Sequence, residues 1–201
     1  MGGEPKLALN ITMFPKEDSL NILANILKGG QDKATEAGVL VVGGHTITDA
    51  TIKYGMAVIG FANPNQITTN SNAKDGDIII LTKPLGTGCC LVAMRNGLIK
   101  ENDIEDVFEA MKTLNKKACK IMNKYKVKSA TDITGFGLIG HAYKMALSSD
   151  VCIEINTSNL PMFNKSYEVI DMGCIPGAAF TNMRYVCLLY TSDAADDTPC
   201  V

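Results

Sequence analysis

The chain has 201 residues, 46% hydrophobic and 20% charged, which is the make-up of a soluble globular protein with room for one large core or two small ones. A formal net charge of −2 gives no electrostatic reason to expect a nucleic-acid or anionic-membrane partner, no apolar run reaches bilayer length, and the N-terminus carries no signal-peptide core. A cytoplasmic protein is therefore expected. The seven cysteines show no CxxC spacing and the two histidines do not cluster with them, which argues against a zinc site and for reduced thiols used as core filler.

In chain order, Met1-Gly2-Gly3-Glu4-Pro5 leads at once into Leu7–Met13, the pattern of a buried strand. From Lys16 to Ala37 the period becomes helical, with Leu20, Leu23, Ala24 and Leu27 on one face. Gly29-Gly30 predicts a split into two helices, and Gly38 the end of the second. Val39–Val42 reads as a short buried strand closed by a Gly43-Gly44 turn, and Tyr54–Ala62 as another strand. Asn63–Asp77 is polar and rich in turn formers, so the chain divides into 1–70 and 71–186.

The second part opens with an expected strand, Ile78–Thr82, followed by Lys83-Pro84-Leu85-Gly86-Thr87-Gly88 and a buried apolar helix. From Asn102-Asp103 a single long helix is expected, with Ile104, Val107, Phe108, Met111, Leu114, Ala118, Ile121, Met122 and Tyr125 on one core-facing stripe and lysines gathered toward its end. A helix to about Ser148, a strand at Val151–Ile155, a helical stretch near Lys165–Met172 and the Gly/Pro segment 173–177 follow. Residues 187–201 continue no pattern. They resemble the translation of a sequencing-library adapter and are expected not to be native.

Two glycine-rich segments bear on chemistry. In Val42-Gly43-Gly44-His45-Thr46 the missing Cβ atoms permit close backbone approach, and consecutive amides with His45 and Thr46 can cradle phosphate oxygens; a plain strand-to-loop turn accounts for the same residues. No GxxxxGK[ST] loop occurs. In Thr131-Asp132-Ile133-Thr134-Gly135-Phe136-Gly137-Leu138-Ile139-Gly140-His141 an acid at a strand end precedes a turn and a helix, so Asp132 reads either as a Mg²⁺ ligand or as a helix N-cap. His141 reads as packing or capping rather than catalytic, Asp49 as a loop acid or a supporting group, and Lys83 as a phosphate contact or part of a helix entrance.

Taken together, MGGEPKLALN, LVVGGHTITDATIKYGMAVIG, GDIIILTKPLGTG, SATDITGFGLIGHAYKMA and IPGAA resemble, in that order, the selenophosphate synthetases (selenide, water dikinases) of the aminoimidazole ribonucleotide synthetase superfamily. The resemblance implies a two-domain α/β (α+β type) protein. Its first domain, here partial, would bind ATP and pair with a second subunit; its second would be a mixed sheet covered by helices. The family reaction converts ATP, selenide and water to selenophosphate, AMP and phosphate, with Mg²⁺ bridging carboxylates to phosphates. Carried over by motif, Gly43, Gly44, His45 and Thr46 would touch ATP and Asp132 would bind the metal. The family's reactive cysteine (or selenocysteine), essential lysine and further metal-binding aspartates lie upstream of the first island. No catalytic residue is therefore assigned here, and the chain alone is expected to be inactive. Ala50-Thr51-Ile52 stands where the family favours acidic residues and proline. The remaining readings are a thiamine-monophosphate kinase-like or hydrogenase-maturation enzyme, and a non-catalytic nucleotide-binding or dimerisation module.

Overall fold

A computed structural model of the chain describes residues 1–192, so the expected non-native segment 187–201 lies outside them from 193 onward. The backbone forms two compact units, one of Gly2–Ile67 with Leu114–Asn123, the other of Met1, Thr68–Thr113 and the chain from Lys124.

The first unit is built on β1 (Glu4–Phe14), where Ala8, Thr12 and Phe14 are buried and the intervening Leu9 and Ile11 are exposed, the period of a strand covered on one face. β2 (Leu40–Thr48) pairs with β1 in parallel and β3 (Lys53–Phe61) antiparallel, giving the order β2-β1-β3. A parallel pair needs a crossover, and α1 (Leu20–Ala37) supplies it. Ser19 caps α1 by accepting the Asn21 N–H, and Gly38, at φ 79°, ends it by donating to the carbonyls of Ala34 and Thr35. Ala8, Ala34 and Val39 form the core between helix and sheet, with Ala37, Val41 and Met56 around them.

α1 is one unbroken helix, which corrects the expected split at Gly29-Gly30. The pair marks a close approach instead. A Cβ at Gly30 would lie 1.7 Å from the Tyr54 hydroxyl and 2.7 Å from its ring carbon Cζ. Tyr54 lies in this gap and donates from its hydroxyl to Asn10 Oδ1 at 2.7 Å, and burial there pushes the phenol pKa up.

The second unit is mainly helical. α2 (Thr87–Arg95) packs on α6 (Asn164–Asp171), and α5 (Gly137–Ser149) packs on α7 (Gly177–Ser192). Its core gathers Cys90, Ala93, Ile99, Ile104, Val107, Phe163, Val169 and Cys174. The apolar stripe from Ile104 is not one helix: a 3-10 turn (Glu101–Ile104), α3 (Glu105–Lys112) and α4 (Lys116–Lys124) replace it. Thr113 causes the break, with ψ at 120° and both its N–H and its Oγ1 donating back to the Glu109 carbonyl. α4 up to Asn123 belongs to the first unit, where Lys116 Nζ donates to the Ala37 carbonyl at the end of α1.

The α/β class with a mixed sheet and helices is as the sequence implies, but among the described residues that sheet lies in the first unit and not in the second, where it was expected, and two expected strands are not formed. Residues 78–82 and 151–155 have no ladder, and Ile78 and Ile80 are 89% and 79% exposed. An apolar run becomes a strand only beside a partner, and among the described residues the second unit offers two isolated bridges, Thr69 with Ser129 and Leu85 with Met162. α7, which begins directly after Pro176, has no counterpart in the periodicity reading.

The Gly29-Gly30 pair provides a test. Gly29→Ala, whose Cβ meets nothing within 4 Å, should stabilise the protein by about 0.5–1 kcal/mol in urea unfolding through helix propensity. Gly30→Ala should destabilise it and free the Tyr54 hydroxyl to titrate nearer its ordinary value.

Candidate functional site

Gly43, Gly44, His45 and Thr46 lie inside β2, not in a turn, which corrects the expected conformation of this segment. They face β1 residues Leu9, Asn10, Ile11 and Thr12 in register, just past an irregularity between Ala8 and Leu9. Successive strand amides point to opposite edges, so Gly43 and Gly44 do not form a converging amide cradle. Gly44 is required for another reason: a Cβ there would lie 2.3 Å from the Asn10 carbonyl oxygen and 2.9 Å from its amide nitrogen. The central strand's backbone occupies the space.

Among the described residues β2 is an edge strand, so half of its backbone groups stay open for another partner. His45 and Thr46 are both exposed. By register, His45 stands with Leu9, Ile11 and Ile47 on the sheet face away from α1, and Thr46 shares the α1 face with Thr12. The face bearing His45 is apolar and uncovered among the described residues: Leu9 is 38% exposed, Ile11 and Ile47 43%, and Ile59 51%.

Asp132 belongs to the other unit. It is exposed, its carboxylate makes no hydrogen bond or ion pair among the described residues, and it does not cap α5, whose N-cap position is Phe136 with no side-chain cap. The helix-cap reading of Asp132 therefore fails, and the first turn of α5 keeps N–H groups that no side chain caps. The expected strand before Asp132 shrinks to the bridge at Ser129.

The turn itself is tightly held. Thr134 donates its N–H to His141 Nε2 at 3.1 Å, and its Oγ1 lies 3.1 Å from the same nitrogen. The Gly137 N–H closes on the Thr134 carbonyl at 2.9 Å, and Asn182 Nδ2 donates to the Gly135 carbonyl at 2.7 Å. The Phe136 ring stands edge-on to His141 and against Tyr185, with Lys144 Nζ over its face. His141 thus caps the turn, as expected. Asn182 and Tyr185 were illegible because they sit on the unforeseen α7, and no local pattern ties an amide there to Gly135.

The other candidates have structural tasks. Asp49 accepts from Lys53 Nζ and the Thr51 N–H, both at 2.9 Å, closing the loop between β2 and β3; the Lys53 bond first and then the Thr51 N–H hold its carboxyl below the usual range. Lys83 Nζ donates to the Thr113 carbonyl at 2.6 Å, at the end of α3. Burial first, then the neighbouring Cys90 and Cys174, pushes the Cys89 thiol pKa up, which disfavours the reactive thiolate. Among the described residues no group of three or more His, Cys, Asp or Glu could hold a metal ion, and no helix is long and apolar enough to cross a membrane.

The fold is shared with proteins of known structure. The chain superposes on the crystal structure of the hydrogenase maturation protein HypE with a TM-score of 0.76 at 17% identity, covering 87% of this chain and 56% of that one. On thiamine monophosphate kinase from Aquifex aeolicus the TM-score is 0.71 at 22% identity, covering 85% and 58%. At such identities the likeness establishes the fold alone. Residues 1–62 match the N-terminal domain, and 74–198 the C-terminal domain, of the AIR synthase related proteins. The chain belongs to the AIR synthase related family.

Within it, the chain is 46% identical over 186 residues to the selenide, water dikinase of Clostridioides difficile, covering 92% of this chain and 53% of that protein. It is 46% identical over 187 residues to the enzyme of that name from Porphyromonas gingivalis W83, covering 92% and 54%, and 43% identical over 201 residues to that of Caldanaerobacter subterraneus, covering 98% and 58%. The chain therefore spans about half the length of these relatives.

The contact at Gly44 can be tested by substitution. Gly44→Ala should cost about 1–3 kcal/mol in urea unfolding, the usual range for forced overpacking. Gly55→Ala on β3, whose Cβ meets nothing within 4 Å, should leave the midpoint nearly unchanged.

Proposed function

We propose that this chain is part of a selenide, water dikinase, an ATP-dependent phosphotransferase that converts ATP, selenide and water to selenophosphate, AMP and orthophosphate. The observation that carries the reading is the 46% identity to a protein of that name over 92% of the chain. The thiamine monophosphate kinase and HypE likenesses, at 22% and 17% identity, support only the common fold.

In this reading ATP lies along the open edge of β2, where unpaired backbone groups and the exposed His45 and Thr46 side chains offer hydrogen bonds, and Gly43 and Gly44 permit close approach. That the HypE structure of TM-score 0.72 is described in complex with ATP is consistent with a nucleotide on this fold. Asp132 suits Mg²⁺: its carboxylate is exposed and unengaged among the described residues, and that ion takes one or two carboxylates with phosphate oxygens and water as the rest. Bound there, Mg²⁺ would neutralise phosphate charge. The uncapped N–H groups opening α5 add a site favourable to anions. The apolar sheet face of Leu9, Ile11, Ile47 and Ile59 is the natural surface for a second subunit, so the working form is a homodimer.

Isothermal titration of the 201-residue chain with ATP tests the nucleotide reading. Binding should require Mg²⁺, and Asp132→Asn should weaken it about tenfold or more, the scale of losing a metal ligand's support. Binding indifferent to EDTA and to Asp132→Asn would remove Asp132 from the site. Phosphorylation of thiamine monophosphate without selenide would overturn the substrate assignment.

A further inference from the structure

The chemistry of the Asp132 turn depends on where its carboxylate points, and that carboxylate has no partner of its own among the described residues. Its direction is therefore set by the backbone that follows. Residues 133–137 include Gly135 and Gly137, the latter at φ 68°, so this backbone is intrinsically permissive. Unrestrained, it would sample many conformations.

We propose that His141 is a positioning residue that holds this turn, and with it the Asp132 carboxylate, through the lone pair of Nε2. The proposal rests on the reading of Asp132 as a divalent-cation ligand. A backbone amide can only donate, so the 3.1 Å contact from the Thr134 N–H requires His141 Nε2 to be the acceptor. In the neutral ring the proton then sits on Nδ1, and the Thr134 hydroxyl, also 3.1 Å away, can donate to the same lone pair. Thr134 is fixed two residues from Asp132. Phe136 packs edge-on against the imidazole with ring centroids 6.1 Å apart, which keeps the ring in place. On the far side of the turn the Asn182 amide grips the Gly135 carbonyl at 2.7 Å. The α5 imidazole and the α7 amide thus clamp consecutive residues of a glycine-rich loop, while the Asp132 carboxylate beside them is unengaged among the described residues.

The test uses the 201-residue chain uniformly labelled with ¹⁵N, so that the ring nitrogens of its two histidines and the backbone amides are both read, and Mn²⁺ as the probe. The nitrogen spectrum should show His141 Nε2 as an unprotonated acceptor and Nδ1 as protonated. Mn²⁺ should broaden the amide signals of residues 131–135. His141→Gln, which keeps an acceptor oxygen, should retain the Mn²⁺ affinity to within a few fold, and His141→Leu should lose about tenfold or more, the range for groups that orient a ligand. Asp132→Asn should abolish the broadening in every background.

A proton on Nε2, unchanged Mn²⁺ affinity in His141→Leu, or equal loss in both His141 variants would overturn the positioning role while leaving Asp132 as a ligand. Broadening absent from the unmutated chain, or surviving Asp132→Asn, would overturn the Asp132 reading itself and the positioning role with it. The tautomer is read in the unmutated protein, so a proton on Nε2 overturns the role even if His141→Leu fails to fold, and His141→Gln supplies the affinity comparison.

Discussion

The first unit depends on the confinement of β1 between two strands of opposite sense. Its backbone faces β2 so closely that no Cβ fits at Gly44, and faces β3 so closely that a Cβ at Gly60 would lie 2.6 Å from the Glu4 carbonyl oxygen. Both contacts are backbone against backbone, which has no rotamer to yield. Once β1 is central and parallel to β2, a crossover must carry the chain back, and α1 has to lie on one face to bury Ala34 against Ala8 and Val39. The other face of the sheet and the outer edge of β2 are what remain. On that remainder the sequence places an apolar surface and the exposed His45 and Thr46.

The second unit solves a different problem. Its helices bury one core around Ile104, Val107 and Val169, and the turn carrying Asp132 stands outside it, fixed by polar contacts at Thr134 and Gly135 and by the Phe136 ring against His141 and Tyr185. Each bond there is worth about 1 kcal/mol net, so the turn is ordered without being immovable. An exposed acid on such a support can meet a hydrated cation without the desolvation penalty that a buried carboxylate would carry.

What the sequence made legible were features with local causes. β1, β3, α2, α5 and α6 follow from periodicity, and the end of α1 at Gly38 from the left-handed conformation that glycine accepts. The misread features have distant causes. Gly29-Gly30 looks like a helix break until Tyr54 is seen lying against Gly30, and Gly43-Gly44 looks like a turn until β1 is placed beside it. The apolar stripe from Ile104 to Tyr125 continues past Thr113 although the helix does not, because periodicity records which side is apolar and not whether the backbone bends. Ile78–Ile80 shows the same limit: composition proposes a strand, and pairing decides. Of the candidate site, the residues were legible as motifs. Their conformation, and the holding of the Asp132 turn from α7, were not.

Hydrogen exchange of the backbone amides most directly tests whether the Gly43–Thr46 segment is a strand at a sheet edge. Along Leu40–Thr48 the account predicts alternation, with amides facing β1 protected and those facing outward exchanging fast, while β1 itself is the slowest element of its unit. Uniformly fast exchange through Gly43, Gly44, His45 and Thr46 would contradict it and restore a mobile glycine loop.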